Sequence, residues 1–305
     1  MTLTAVPGVR VGHWTDAVGI TGVTVVDLPE PNVTTVEVRG AAPGSRETAL
    51  LALGMRVEVI QAIVLAGGSA FGLAAADGVA NTLAVDGRGH PTMAGPVPIV
   101  PAAIIYDLAV GDATARPGPA EGAAAYGVRS ADPVPMGSVG AGTGACVAGW
   151  RGWEHRRKGG VGSHAVAHEG TTVGALVVLN AVGDVFSLEG ESLTGGYLLP
   201  TSTPVIPSLA ENTTLVVIAT DAAVDRAALS RLCVQGHDAL AVCLRPSHTR
   251  YDGDAVFAVS CGTREADLDR LGVMAFEAVG RSIEAAVRHA TTLGGVLAIE
   301  SEGSS

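Results

Sequence analysis

The 305-residue chain predicts a layered sandwich of the α/β or α+β class. Three observations predict it. Strand-like and helix-like stretches are mixed along the chain without strict βαβ alternation. Apolar residues make up 48 % of the sequence and aromatics only 4 %, so the core is built mainly from Ala, Val, Leu and Ile. The helical stretches carry Ala and Gly faces, which let a helix press closely on a sheet. No internal repeat divides the chain, and its length suits one large domain or two small ones.

Taken in order, residues 20–39 (ITGVTVVDLPEPNVTTVEVR) read as two strands around a proline turn. EVIQAIVLAGG at 58–68 is a buried strand ending in glycines, and SAFGLAAADGVANTLAV at 69–85 takes a helical, small-residue pattern. PVPIVPAAIIYDL at 96–108 carries three prolines, so its first half is extended, and a helix is expected to open at its end. VGALVVLNAVGDVF at 173–186 is a strand or strand pair, and TLVVIAT at 214–220 is a buried strand. Between them, 187–212 has no period, several prolines and many small polar residues. DAAVDRAALSRLCVQGHDAL at 221–240 is helical, with Asp221 as the expected N-cap. DAVFAVSCG at 254–262 is a strand. In 267–293 the 3–4 spacing of Leu268, Leu271, Ala275, Val279, Ile283 and Ala286 predicts an amphipathic helix with one core-facing stripe.

Composition excludes several function classes. The formal net charge is −11, and the only basic run is HRRK at 155–158, so phosphate neutralisation by clustered cations is not available and nucleic acid is not an expected partner. The glycines, 41 in all, have no fixed period, which excludes a collagen-like chain. Cys146, Cys233, Cys243 and Cys261 lie in apolar neighbourhoods without a C-x-x-C pair and read as buried free thiols. The start, MTLTAVPGVRVGHW, lacks a secretory pattern, and no apolar run approaches the length of a membrane span. A cytoplasmic location is expected.

Four motifs fail their own context tests. Gly140-Ala141-Gly142-Thr143-Gly144-Ala145 matches the dinucleotide glycine pattern but lacks the preceding strand and the downstream acid. Ser69 in LAGGSAFG sits like a nucleophile-elbow serine, but Phe71 occupies the last glycine position, so a turn with a capping Ser is expected. His164 and His168 are four apart without an accompanying Glu, in a strand-like segment, so no metal is expected. Asn32-Val33-Thr34 and Asn212-Thr213-Thr214 are formal glycosylation sequons.

The last of these has a second reading. In ENTTLVVIAT (211–220) two hydroxyls stand where the longest unpatterned segment meets a buried strand. A threonine hydroxyl is a poor nucleophile until a base takes its proton, and its own α-amine is one economical base. That amine exists only if the preceding peptide bond is cut. The hydroxyl can do this by attacking the carbonyl before it, shifting amide to ester, which water then opens. A strand-opening Thr pair is otherwise ordinary, because Thr favours strands.

TGVTVV (21–26), LAGGSAFGLAAADGV (65–79), VPAAIIYDL (100–108), GSVGAGTGA (137–145), RKGGVGS (157–163), LVVLNAVGD (176–184) and NTTLVVIATDA (212–222) occur in this order. Together the chain resembles the self-processing aminopeptidase family that includes D-aminopeptidase/D-Ala-esterases, β-peptidyl aminopeptidases and nylon-oligomer hydrolases. The resemblance implies a single-domain four-layer αββα sandwich, similar to that of the ornithine acetyltransferases. It implies cleavage between Asn212 and Thr213 into an α chain, 1–212, and a β chain, 213–305, with Thr213 as nucleophile. Many aminopeptidase members have Gly-Ser at this junction, whereas Asn-Thr resembles the nylon-oligomer branch.

The resemblance also implies a set of site residues. Asn180 matches an asparagine whose neutral amide is a suitable oxyanion donor, although a turn Asn is the plainer reading. Asp252 and Asp254 match an acidic or polar pair after the nucleophile strand; one residue apart on an extended segment, they share a face and raise one another's pKa. The plainer reading is a D-G turn at Gly253. Lys158 resembles a motif lysine placed to hold the nucleophile's oxygen or a substrate carboxylate, and is otherwise one more solvated charge of HRRK. Tyr106 resembles an active-site tyrosine and is otherwise ordinary core. The expected function is hydrolysis of short peptides or amides without metal or organic cofactor, by a homo-oligomer, expected to be a tetramer of αβ units. Acyl transfer to an amine, and binding without turnover on the same fold, are the alternatives.

Overall fold

Strands covered on both faces carry apolar residues without alternation, and this chain has several. The computed structural model describes residues 1–197 and 212–299. Apart from short two- and three-residue ribbons, its strands are β1 (Arg10–Asp16), β2 (Thr21–Asp27), β3 (Val33–Val38), β4 (Ser45–Arg46), β5 (Ala62–Ala66), β6 (Ala102–Ile104), β7 (Gly160–His168), β8 (Thr171–Asn180), β9 (Thr213–Ala222) and β10 (Ala255–Arg264). Its helices are α1 (Ala75–Val85), α2 (Pro119–Gly127), α3 (Arg226–Cys243) and α4 (Leu268–Arg288). The ordered strands form two five-stranded sheets, β1-β2-β5-β6-β4 and β7-β8-β9-β10-β3. The pairs β5–β6 and β9–β10 are parallel, and the other neighbours are antiparallel.

Side chains alternate across a strand, so each central strand feeds two cores. Ile63 and Leu65 of β5 meet Leu176, Val178, Leu215, Val217 and Phe257 of the second sheet. The opposite residues of that sheet, Val177, Val216 and Val256 among them, meet Leu232, Leu240, Leu271, Val279 and Ile283 of α3 and α4. On the other side Val23, Val25 and Val64 meet Val79, Leu83, Ala125 and Tyr126 of α1 and α2. The three cores separate four layers, αββα, as the resemblance implies. Glycine lets the layers close: a Cβ at Gly162 of β7 would stand 1.9 Å from the Ser282 carbonyl oxygen on α4.

The predicted stripe of α4 lies in the core, with Leu271, Ala275, Val279, Ile283 and Ala286 fully buried and Leu268 partly so. Three local expectations change. Asp221 does not cap α3: it lies within β9, one residue before its end, and accepts from the Thr172 N–H, while Asp225 caps the helix through Ala228 N at 2.8 Å. No helix opens at the end of 96–108, since the next helix is α2. Ser69 adopts φ 53° and is the first residue of the turn Ser69–Ala74, with Gly68 at the N-cap position, so Ser69 is not the cap. The two strands predicted over 20–39 both form, yet they enter different sheets.

Cys146, Cys233 and Cys243 are buried free thiols and Cys261 is partly buried. Burial pushes Cys243 and Cys261 up to about 12, so these are inert as nucleophiles. Among the described residues no helix is long and apolar enough to cross a membrane. Most of the unpatterned segment 187–212 lies outside the described residues.

Candidate active site

Where β8 ends and β9 begins, antiparallel register sets Asn180 opposite Thr213. Asn212 continues the chain one residue beyond, in a parallel bridge with Asp252. Its N–H donates to the Tyr251 carbonyl at 2.9 Å, and its carbonyl oxygen accepts the Gly253 N–H at 2.9 Å. The Thr213 hydroxyl donates to that same carbonyl oxygen at 2.5 Å. Asn212, Thr213 and Thr214 are all buried. Of the two junction hydroxyls only Thr213's is engaged; the Thr214 hydroxyl, on the other face, has no partner among the described residues. Gly253 must be glycine here, because a Cβ would sit 2.8 Å from Thr213 Oγ1 and 2.7 Å from the Ala42 carbonyl oxygen.

Both acids flank this junction. Asp254 accepts the Thr214 N–H at 2.7 Å on one oxygen and, on the other, His248 N–H at 3.2 Å and Nδ1 at 2.8 Å. A carboxylate only accepts, so His248 Nδ1 carries the proton of that bond. Asp252 accepts from the Thr249 hydroxyl at 2.6 Å and the Thr249 N–H at 2.9 Å. Burial, followed by the charge of Asp254, pushes Asp252 up to about 6. The pair thus shares a face, as the spacing predicts.

Asn180 is held by its neighbours. Its Oδ1 accepts the Cys146 N–H at 2.9 Å, its Nδ2 donates to the Tyr106 carbonyl at 3.3 Å, and its main-chain oxygen accepts Asn212 Nδ2 at 3.0 Å. One amide proton is therefore committed to Tyr106. Tyr106 is half-buried, at the edge of the same cluster.

Lys158 is not the solvated charge that its HRRK context suggests. It is fully buried, and its Nζ donates to the Thr143 and Ala145 carbonyls at 2.7 Å each. Burial lowers its pKa, with Cys146 and Asp107 opposing. Burial also raises Asp107, which accepts from Thr21 Oγ1 and the Gly68 N–H. Lys158 reaches the junction through its strand neighbour Cys146, whose N–H holds Asn180. No direct bond joins Lys158 to Thr213 among the described residues.

Several contributors escape a sequence reading. The Gly253 N–H could be seen only as a turn signal, and Cys146 only as an inert thiol, because both act through the backbone. His248 leaves one trace, a polar residue shortly before the acidic pair.

The Peptidase family S58 model matches residues 2–299. The chain belongs to peptidase family S58. This places it among the peptidases, and so among the hydrolases. The S58 chain is 37 % identical to an uncharacterised aminopeptidase of Mycobacterium leprae, over 97 % of its own length and 92 % of the relative's. It is 31 % identical to a 6-aminohexanoate-oligomer endohydrolase of Paenarthrobacter ureafaciens, over 86 % of its length and 75 % of the relative's. Among solved structures, the L-aminopeptidase D-Ala-esterase/amidase of Ochrobactrum anthropi superposes with a TM-score of 0.78 at 21 % identity, covering 98 % of this S58 chain and 91 % of that one. That structure is described as a variant of the N-terminal-nucleophile hydrolase fold, and the likeness carries the fold.

Proposed function

We propose that this S58 chain cuts itself between Asn212 and Thr213 and then uses Thr213 to hydrolyse short amides that bear a free amine. One observation carries the reading: the Thr213 hydroxyl and the Gly253 N–H converge on the Asn212 carbonyl oxygen, at 2.5 and 2.9 Å. In processing, Thr213 Oγ1 bonds to the Asn212 carbonyl carbon and the C–N bond breaks. Nitrogen leaves as the Thr213 amine, and water opens the ester to an Asn212 carboxylate. The products are an α chain, 1–212, and a β chain, 213–305.

In turnover the freed amine takes the hydroxyl proton, and Oγ1 attacks the substrate carbonyl. Asn180 and a backbone N–H stabilise the oxyanion. Asp252 and Asp254 orient the amine, Lys158 braces Asn180 through Cys146, and Tyr106 borders the substrate. Water releases the acyl group, so no cofactor enters the scheme. The oligomer-hydrolase relatives favour an aminoalkanoyl or small D- or β-amino acyl group. A cytoplasmic homo-oligomer, a tetramer of αβ units, belongs to the same proposal, and light scattering that returns a monomer removes the assembly.

Denaturing electrophoresis with N-terminal sequencing tests the core of it. Wild-type protein should give a smaller band beginning TTLVVIAT. Thr213→Ala should remain one uncut, inactive chain, and cleavage of that variant at the same bond would sink the mechanism.

A further inference from the structure

A cation drawn into a protein normally finds a carboxylate or several carbonyl acceptors. Arg151 does so, holding Asp184 at 2.7 and 2.9 Å and the Thr194 carbonyl at 2.9 Å. Arg156, five residues on, has neither among the described residues. Its guanidinium stacks over the Trp153 ring at 4.0 Å. Its Nε lies 3.2 Å from where a Cβ would project at Gly149, so the missing side chain leaves the group its room. Among the described residues the ionisable groups beside it are Cys146 and Tyr106, and neither is a carboxylate. Burial lowers the Arg156 pKa and raises that of Cys146, so the thiol supplies no counter-charge. Arg156 is itself only partly buried, and its stacking partner Trp153 is half-exposed, so this cation is open to solvent on one side.

The location matters as much as the missing partner. Cys146 and Tyr106 are the two residues that hold the Asn180 side-chain amide, and Asn180 stands opposite Thr213. The strand register agrees: Arg157 and Lys158, next along from Arg156, pair with Val147 and Cys146. A planar, partly desolvated guanidinium without a side-chain partner among the described residues is suited to bidentate capture of a carboxylate, and stacking on an indole keeps it flat and fixed.

We infer that Arg156, stacked on Trp153, is the subsite that receives the free C-terminal carboxylate of a short substrate. This rests on Thr213 being the nucleophile, since that sets which end of the substrate lies toward Asn180. It narrows the substrate class to short amino-acyl chains ending in a carboxylate, in preference to their amides.

The test compares one dipeptide as its free acid and as its C-terminal amide, on processed two-chain protein. Arg156→Gln should raise KM for the acid about tenfold or more, the cost of a lost charge-assisted pair, with kcat changed less than about twofold. The amide's kcat/KM should stay within about twofold. Arg156→Lys should recover part of the acid's affinity, because charge remains while the fork is lost. Equal losses on acid and amide, or no loss on the acid, overturn the subsite. If Arg156→Gln does not fold, Arg156→Lys and Trp153→Leu carry the same comparison, and acid-selective loss in either is the supporting result. The outcome is separate from that of Thr213→Ala. An uncut, inactive Thr213→Ala together with unselective Arg156 variants removes the subsite alone.

Discussion

The Gly253 amide donates to the Asn212 carbonyl oxygen at 2.9 Å. The donor is in place before any negative charge forms on that oxygen, which is how a preorganised oxyanion site lowers a barrier. The bond exists because Asn212 and Asp252 lie in a parallel bridge, which lines up Gly253 with the carbonyl just before Thr213.

Gly253→Ala should therefore accumulate uncut chain. Its Cβ would press on Thr213 Oγ1 at 2.8 Å and on the Ala42 carbonyl oxygen at 2.7 Å, and the second contact is backbone that cannot step aside. The fraction of two-chain protein, followed over hours on denaturing gels, measures this. Processing at the wild-type rate would show that the Asn212 carbonyl does not depend on this contact.

Asn180→Ala should slow turnover by about 10²–10³-fold in kcat, the usual cost of one oxyanion donor, with a much smaller change in KM. The variant also frees the Cys146 N–H and the Tyr106 carbonyl. Far-ultraviolet circular dichroism should confirm an intact fold. A kcat near wild type would return Asn180 to a bracket for these two loops.

The pH dependence follows from Asp252, whose burial and proximity to Asp254 push it up to about 6. Above that value it is ionised. A carboxylate beside the Thr213 amine favours the ammonium form and raises the amine's pKa. Only the neutral amine can accept the hydroxyl proton, so activity falls as pH drops through that pKa. Asp252→Asn removes the charge, lowers the amine's pKa and should move the acidic limb of kcat/KM to lower pH. Asp254→Asn should move it the same way, measured in protein already cut into two chains. A limb unmoved in both variants would separate the carboxylates from the base.

The sequence by itself determined α1, α3 and α4 and the central strands β2, β5, β8, β9 and β10, because unbroken apolar runs and 3–4 spacing are properties of neighbouring residues, whereas β1 and α2 carried no such pattern. It also marked the Asn212–Thr213 junction, where a polar, unpatterned stretch meets a buried strand, and the shared face of Asp252 and Asp254, which follows from two-residue strand period. Tertiary structure decided the rest. Lys158 reads as the end of a basic surface run, yet it is buried because the strand that carries it pairs with Cys146 and turns its amine onto two carbonyls. The two strands around the proline turn at 28–32 read as neighbours, yet each found its partners in a different sheet. Asp225, not Asp221, caps α3, because β9 runs on to Ala222 and claims Asp221 for the Thr172 N–H. The bond from Gly253 to Asn212 joins backbone groups 41 positions apart. Local pattern carries no information about such a contact, since a main-chain N–H is the same in every non-proline residue and only the packing of the sheets selects its acceptor.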